Sequence, residues 1–248
     1  MNKTPSILVD TGFEVDQSGA LTEVVTPNVV TTLNAPIKIV FSGTVINDVP
    51  SKAEALQEIN CPNVTVFSNS NFFRGYTSLK RVIFEKLSII PEATNSSGNG
   101  FFSGCTSLIE VDMPSLTSIG ACRAYYGGQF YNCTSLTTVN MPALQTIGDV
   151  SNNQCGIFAN CTSLTVINFP KLQNTTTSNS GGGTFNNCAD LQEVTLGSEG
   201  NPVQALGSYT FKNCTQSGLT ITIYTTDGAA LSGSPWGATN ATIEYEEA

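Results

Sequence analysis

Glu110 and Asp112 stand two residues apart in Glu110-Val111-Asp112. On a strand both carboxylates fall on one face. Paired carboxylates serve glycoside hydrolysis or a weak Ca²⁺ site. Nothing else nearby supports either chemistry, so a solvated strand face is the favoured reading. Other catalytic classes are poorly supplied. The chain has no His, which removes the commonest general base and metal ligand and, with them, any Ser–His or Cys–His nucleophile. Gly181-Gly182-Gly183 is not followed by Lys-Ser or Lys-Thr, so it is not a phosphate loop and reads as a flexible turn.

There are eight cysteines. Five of them, Cys105, Cys133, Cys161, Cys188 and Cys214, each follow a Phe by three residues. No Cys-x-x-Cys is present to start a zinc site. These five are expected to be small buried apolar residues, and neither a metal nor a cofactor is expected. Cys122 and Cys155 fall outside the column. They pair if their Cα atoms come within about 7 Å, or else remain two unpaired thiols.

Arg123, Tyr125 and Tyr126 lie close together in a stretch between motifs. Aromatic rings flanked by polar side chains suit sugar or protein contacts. The plainer alternative is loop filler on a permissive edge. Asn63, Asn95, Asn132, Asn160, Asn174, Asn213 and Asn240 each begin an Asn-x-Ser/Thr triplet. At 132, 160 and 213 the triplet is Asn-Cys-Thr, produced by a repeat, and there the Asn is expected to shape a turn rather than accept sugar.

The repeat is the element that must position these groups. Phe102 leads Cys105, Leu108, Val111, Met113, Pro114, Leu116, Ile119 and Gly120. Phe130, Phe158 and Phe185 lead further copies, Phe211 a degenerate one, and Phe73 one with Tyr76 in the Cys slot. A half-copy precedes them at Leu56, Ile59, Cys61, Val64 and Phe67. Successive Phe residues are 29, 28, 28, 27 and 26 positions apart. A fixed period in this range marks a solenoid, whose single copy cannot bury its own apolar face. In Leu-x-x-Val-x-Met the first, fourth and sixth residues point inward, and Pro marks the strand end.

Two outward columns follow from this pattern. One is Glu58, Arg81, Glu110, Thr138, Val166 and Glu193. The other is Asn60, Ile83, Asp112, Asn140, Asn168 and Thr195. Insertions all fall between the repeat's Ile and the next Phe, over 91–101, 120–129, 148–157 and 176–184, and insertions confined to one face often mark the binding face.

The string Phe-x-x-Cys-Thr-Ser-Leu-x-x-Val-x-x-Pro-x-Leu-x-x-Ile-Gly resembles the BspA-like leucine-rich repeats, over about residues 54–224. The resemblance implies a right-handed solenoid with a parallel sheet on one side, and a role in surface interactions, since the family is typical of bacterial surface and adhesion proteins and of some protist ones. Two features depart from it. No secretion signal or lipid-anchor cysteine is found, and most repeats are longer than the compact unit between Leu56 and Leu79.

Composition sets the remaining bounds. The 248 residues carry only 12% charged side chains and a net charge of −9, which argues against a nucleic-acid partner. No apolar run approaches the roughly 18 residues of a membrane span. Met1 to Asp10 has one Lys and no apolar core, so it is not a signal peptide. Either a signal was removed, or none existed.

The expected architecture is a mainly β leucine-rich-repeat solenoid with a parallel sheet on one face and few or short helices. Residues 1–50 are expected to form several short strands, as an N-terminal cap or anchoring segment. Residues 51–224 hold the repeats, and 225–248 supply a closing strand. The expected function is a non-enzymatic scaffold of surface or adhesion type. Its binding candidates are Arg123, Tyr125, Tyr126, Glu110 and Asp112, and its partner is a protein or glycan. The expected location is the cell surface or extracellular space, and the alternative is a structural component of a bacteriophage virion.

Overall fold

The computed structural model describes residues 56–67, 73–92, 100–121, 127–148, 156–175 and 183–248, together with backbone strands at 8–9, 13–15, 37–41 and 45–46. Among these the protein is a β-solenoid of about five turns without a helix.

The strands are β1 Leu8–Val9, β2 Phe13–Val15, β3 Ile37–Phe41, β4 Val45–Ile46, β5 Leu56–Asn60, β6 Val66–Phe67, β7 Arg81–Ile83, β8 Ile89–Ile90, β9 Glu110–Asp112, β10 Ser118–Ile119, β11 Thr138–Asn140, β12 Thr146–Ile147, β13 Val166–Phe169, β14 Asn174–Thr175, β15 Glu193–Leu196, β16 Thr220–Thr225 and β17 Thr242–Glu247. The Leu-x-x-Val-x-Met segments contribute to one main face made of two sheets, a seven-stranded one in the order β1-β2-β3-β5-β7-β9-β11 and a four-stranded one in the order β13-β15-β16-β17. From β3 onward every pairing in it is parallel, whereas β1–β2 and β2–β3 are antiparallel.

A second parallel sheet, β8-β10-β12-β14, forms from the Leu-x-x-Ile part of each repeat. The resemblance implied a parallel sheet on one side, and the structure adds this second one. The second sheet's strands are two residues long, too short for an alternation pattern to reveal. β4 and β6 pair in parallel in the same manner.

Between the sheets lies one continuous core. Leu79, Leu108, Leu136, Leu164, Leu191 and Leu219 are fully buried, as are Val82, Val111, Ile167, Val194 and Ile221 on the strands. Val139 is the exception, only partly buried but still packed against the core. The repeat's Phe residues form an aromatic column. Phe73–Phe102, Phe102–Phe130, Phe130–Phe158, Phe158–Phe185 and Phe185–Phe211 stack with centroids 5.3, 5.2, 5.0, 5.5 and 5.5 Å apart and planes within 8° of parallel. Pairs in this range add roughly 0.5–1.5 kcal/mol beyond their buried area. Trp236 meets Phe211 edge-on at 6.5 Å and 63°. It is fully buried, with its indole N–H donating to the Ser232 carbonyl at 3.0 Å.

After each Phe the chain turns through a left-handed residue, Gly75, Gly104, Asn132, Asn160, Asn187 or Asn213, with φ from 60° to 77°. Gly and Asn are the residues that adopt this conformation at least cost. The turns also bond to one another. The amide N–H of Asn132 donates to the Ala159 carbonyl at 2.8 Å, and the Asn187 side chain donates to that of Asn160 at 2.8 Å. The Asn of the repeated triplet therefore shapes the turn, as its recurrence implied.

Candidate functional site

The main face carries its outward residues in register. Arg81 pairs across to Glu58 and Glu110, and Glu110 to Thr138. Ile83 pairs to Asn60 and Asp112, and Asp112 to Asn140. In the C-terminal half Val166, Glu193, Thr220 and Thr242 form one row, and Asn168, Thr195, Thr222 and Glu244 the next. Each inferred column is therefore in register in two stretches, one ending at β11 and one beginning at β13. Ile83 departs from the pattern, being buried although it faces outward, while Val166 is exposed.

Glu110 and Asp112 share this face but serve different neighbours. Arg81 donates one hydrogen bond to Glu110, Nη2 to Oε1 at 3.0 Å, its Nε lies 2.9 Å from Glu110 Oε2 as an ion pair, and its Nη1 lies 4.0 Å from Glu58 Oε1. The bond from Glu110 raises the Arg81 pKa above its ordinary value against a smaller opposing effect of burial, and the charges of Glu110, Glu58 and Asp112 act in the same direction as the bond. Asp112 Oδ1 accepts from Asn140 Nδ2 at 2.7 Å. The face thus presents an acid–base–acid triad beside a carboxylate–amide pair. Among the described residues no group of three or more His, Cys, Asp or Glu could hold a metal ion.

Arg123, Tyr125 and Tyr126 lie outside the described residues, as do Cys122, Cys155 and Asn95. The flanks of the insertions that carry them are described, and they stack. On the departing side Gly120 N–H donates to Ile90 O, and Gly148 N–H to Ile119 O, both at 2.7 Å. On the returning side Phe102, Phe130 and Phe158 donate to Gln129, Ile157 and Thr184, all at 2.8 Å. The insertions thus leave and rejoin the solenoid at equivalent points of successive turns.

Sequence reasoning missed two features of these flanks. A Cβ on Gly100, Gly128, Gly156 or Gly183 would lie only 1.5–2.1 Å from a carbonyl oxygen of the next turn, so glycine is required there by close backbone approach. Gly183 is accordingly a packing position, not merely part of a flexible turn. Its signal was the recurrence of Gly two residues before each Phe from Phe102 to Phe185. The second feature is Gln129, fully buried, which accepts from Phe101 N–H at 3.0 Å and donates to Pro91 O at 3.1 Å. It ties together both ends of the first insertion from the neighbouring turn.

The cysteine column is buried and unpaired at all five positions, and Cys61 is buried as well. Each column thiol donates to the Phe carbonyl one turn back. Cys105, Cys133, Cys161, Cys188 and Cys214 reach Phe73, Phe102, Phe130, Phe158 and Phe185 at 3.0, 3.2, 3.3, 3.2 and 3.2 Å. Burial pushes the thiols of Cys105 and Cys214 up to about 12, and raises the other three well above the ordinary range.

Two stacked parallel sheets, a fixed repeat and a continuous core define a leucine-rich-repeat solenoid. The BspA type leucine rich repeat region matches in six copies over residues 44–157 and 128–226, and the chain belongs to that family. Two crystal structures are similar to it. A T. pallidum leucine-rich repeat protein is 23% identical, with 71% of this chain and 71% of that one covered and a TM-score of 0.42. A leucine-rich cell surface protein from Faecalibacterium prausnitzii A2-165 is 16% identical, with 96% and 94% covered and a TM-score of 0.19. No curated protein sequence matches the chain. No helix among the described residues is long and apolar enough to cross a membrane.

Proposed function

We propose that the protein is a non-enzymatic interaction scaffold that binds a protein or glycan partner across several repeats. The observation that carries this reading is the register of the outward rows. Charged, amide and hydroxyl side chains stand strand after strand on a face that the core does not use. Solenoid faces of this kind are frequent binding surfaces. Glu110 and Asp112 contribute charge, and Arg123, Tyr125 and Tyr126 supply residue types that most often dominate interfaces. Carboxylates already engaged by Arg81 and Asn140 favour recognition over acid–base chemistry.

In this reading the protein acts at a cell surface or in the extracellular space, the setting typical of BspA-like proteins. A second reading, a bacteriophage virion component, draws on β1–β3, whose antiparallel pairing sets the N-terminal segment apart from the parallel repeats.

A glycan and extracellular-protein array probed with the purified chain tests the proposal. Replacing Tyr125 and Tyr126 by Ala should weaken binding about tenfold or more while leaving thermal stability nearly unchanged. Binding that survives this change but disappears when residues 1–50 are removed would make the N-terminal segment the attachment site and favour the virion reading.

A further inference from the structure

The column thiols are nucleophilic groups that a binding role leaves unused, and their geometry has a chemical consequence. Each S–H is a donor to a carbonyl one turn back. A thiolate or a disulfide sulfur has no hydrogen to give. We propose that this solenoid is a reduction-dependent fold: its column must be reduced while the turns stack, and once stacked it is shielded from oxidants that attack the unfolded chain.

The chemistry is thiol–disulfide exchange. A thiolate of the unfolded chain attacks a low-molecular-weight disulfide such as oxidised glutathione, forms a mixed disulfide and releases one glutathione thiolate. A second Cys thiolate displaces the other glutathione. The chain has then lost two thiol protons and two electrons, and glutathione has gained them. In the unfolded chain, consecutive column cysteines are 28, 28, 27 and 26 residues apart, so every neighbour pair closes a loop of similar length. In the folded chain the attacking species is withheld, because each thiol is buried and bonded as S–H, and only the thiolate attacks.

A disulfide between neighbouring turns would remove two donors. It would also draw together two sulfurs that the stacked turns hold over separate carbonyls. The order of events therefore matters: burial first gives a solenoid indifferent to oxidant, and oxidation first gives a chain that cannot rebuild the column.

The test uses the full chain with Cys122→Ser and Cys155→Ser, and oxidised glutathione as the probe. Oxidation at the five column positions is followed by alkylation and peptide mass spectrometry. The folded protein should react at least about a thousandfold more slowly than the same protein in concentrated urea, since reaction waits for the rare open state. Protein oxidised in urea and then diluted should lack native circular dichroism, and should regain it when dithiothreitol is added. If the double variant does not fold, the unsubstituted chain read at the same five peptides gives the same comparison. Equal oxidation rates in the folded and unfolded chains, or full recovery of native dichroism without reductant, would overturn the proposal.

Discussion

The thiol of Cys133 donates to the carbonyl of Phe102, one turn back, at 3.2 Å, and the same oxygen accepts the N–H of Cys105 at 3.1 Å. One carbonyl thus joins its own turn to the next, and the pattern recurs along the column. The stacked Phe rings and the S–H···O bonds therefore involve the same Phe residues of successive turns.

Burial of the column thiols makes stability sensitive to alkaline pH. The Cys133 thiol has an ordinary pKa of 9.0, and burial raises it well above that in the fold. Its contribution is complete below about pH 9 and is lost as pH rises from there through the folded value, because the unfolded thiol releases its proton first. Urea titrations between pH 7 and 11 under reductant should show a falling stability. In Cys133→Ala the fall should be shallower by about 1.4 kcal/mol per pH unit once the unfolded thiol is ionised. Identical slopes would mean that this thiol is not buried.

The repeat pattern predicts an asymmetry at the start of β11. Leu136, which precedes it, is fully buried, and Thr138 is exposed. Leu136→Ala should cost about 2–5 kcal/mol through lost burial and a residual cavity. Thr138→Ala should stay within about 0.5 kcal/mol. Denaturant midpoints compare the two directly, and equal effects would reverse the inward and outward assignment.

Most of the core was legible because its cause repeats. Each Leu, Cys and Phe recurs at a nearly constant interval, and a solenoid buries what it repeats. The outward columns followed from the same alternation. The partnership of Arg81 with Glu110 was not legible, because it depends on which side chains reach across adjacent strands, and register alone does not say. Gln129 was hidden for another reason. It occupies a slot that holds Phe101, Ile157 or Thr184 in other turns, so no repeated residue marked it. The insertion candidates Arg123, Tyr125 and Tyr126 follow no repeat, and the described residues fix only the ends from which they extend.

Two glycines separate steric demand from conformational demand. Gly128 has backbone of the next turn where a Cβ would go, with Gly156 O at 1.8 Å, whereas Gly200 has open space and a φ of 76°. Gly200→Ala should cost about 1–2 kcal/mol, the penalty of the left-handed region for a residue with a Cβ. Gly128→Ala must push two turns apart and should cost more, about 3 kcal/mol or above. Calorimetry of both variants checks the order, and a milder effect at Gly128 would mean that the turns are not in close contact there.

The Arg81 triad divides stability from recognition. The Arg81 and Glu110 side chains are 42% and 35% exposed, so solvent screens their attraction and the pair contributes no more than about 1 kcal/mol despite its close contact. Arg81→Met keeps much of the apolar stem and removes the charge. It should lower stability by less than about 1 kcal/mol, and high salt should shrink the difference further. The electrostatic change is larger than the stability change, because Glu58, Glu110 and Asp112 then stand together without their cation. A partner that docks on this face should respond to that change in association rate and salt dependence, as charge substitutions at binding surfaces do. Stopped-flow association at low and high ionic strength, run beside thermal melts, reads both effects. A large fall in melting temperature with unaltered association would assign the triad to the fold alone and move the binding surface to the insertion edge.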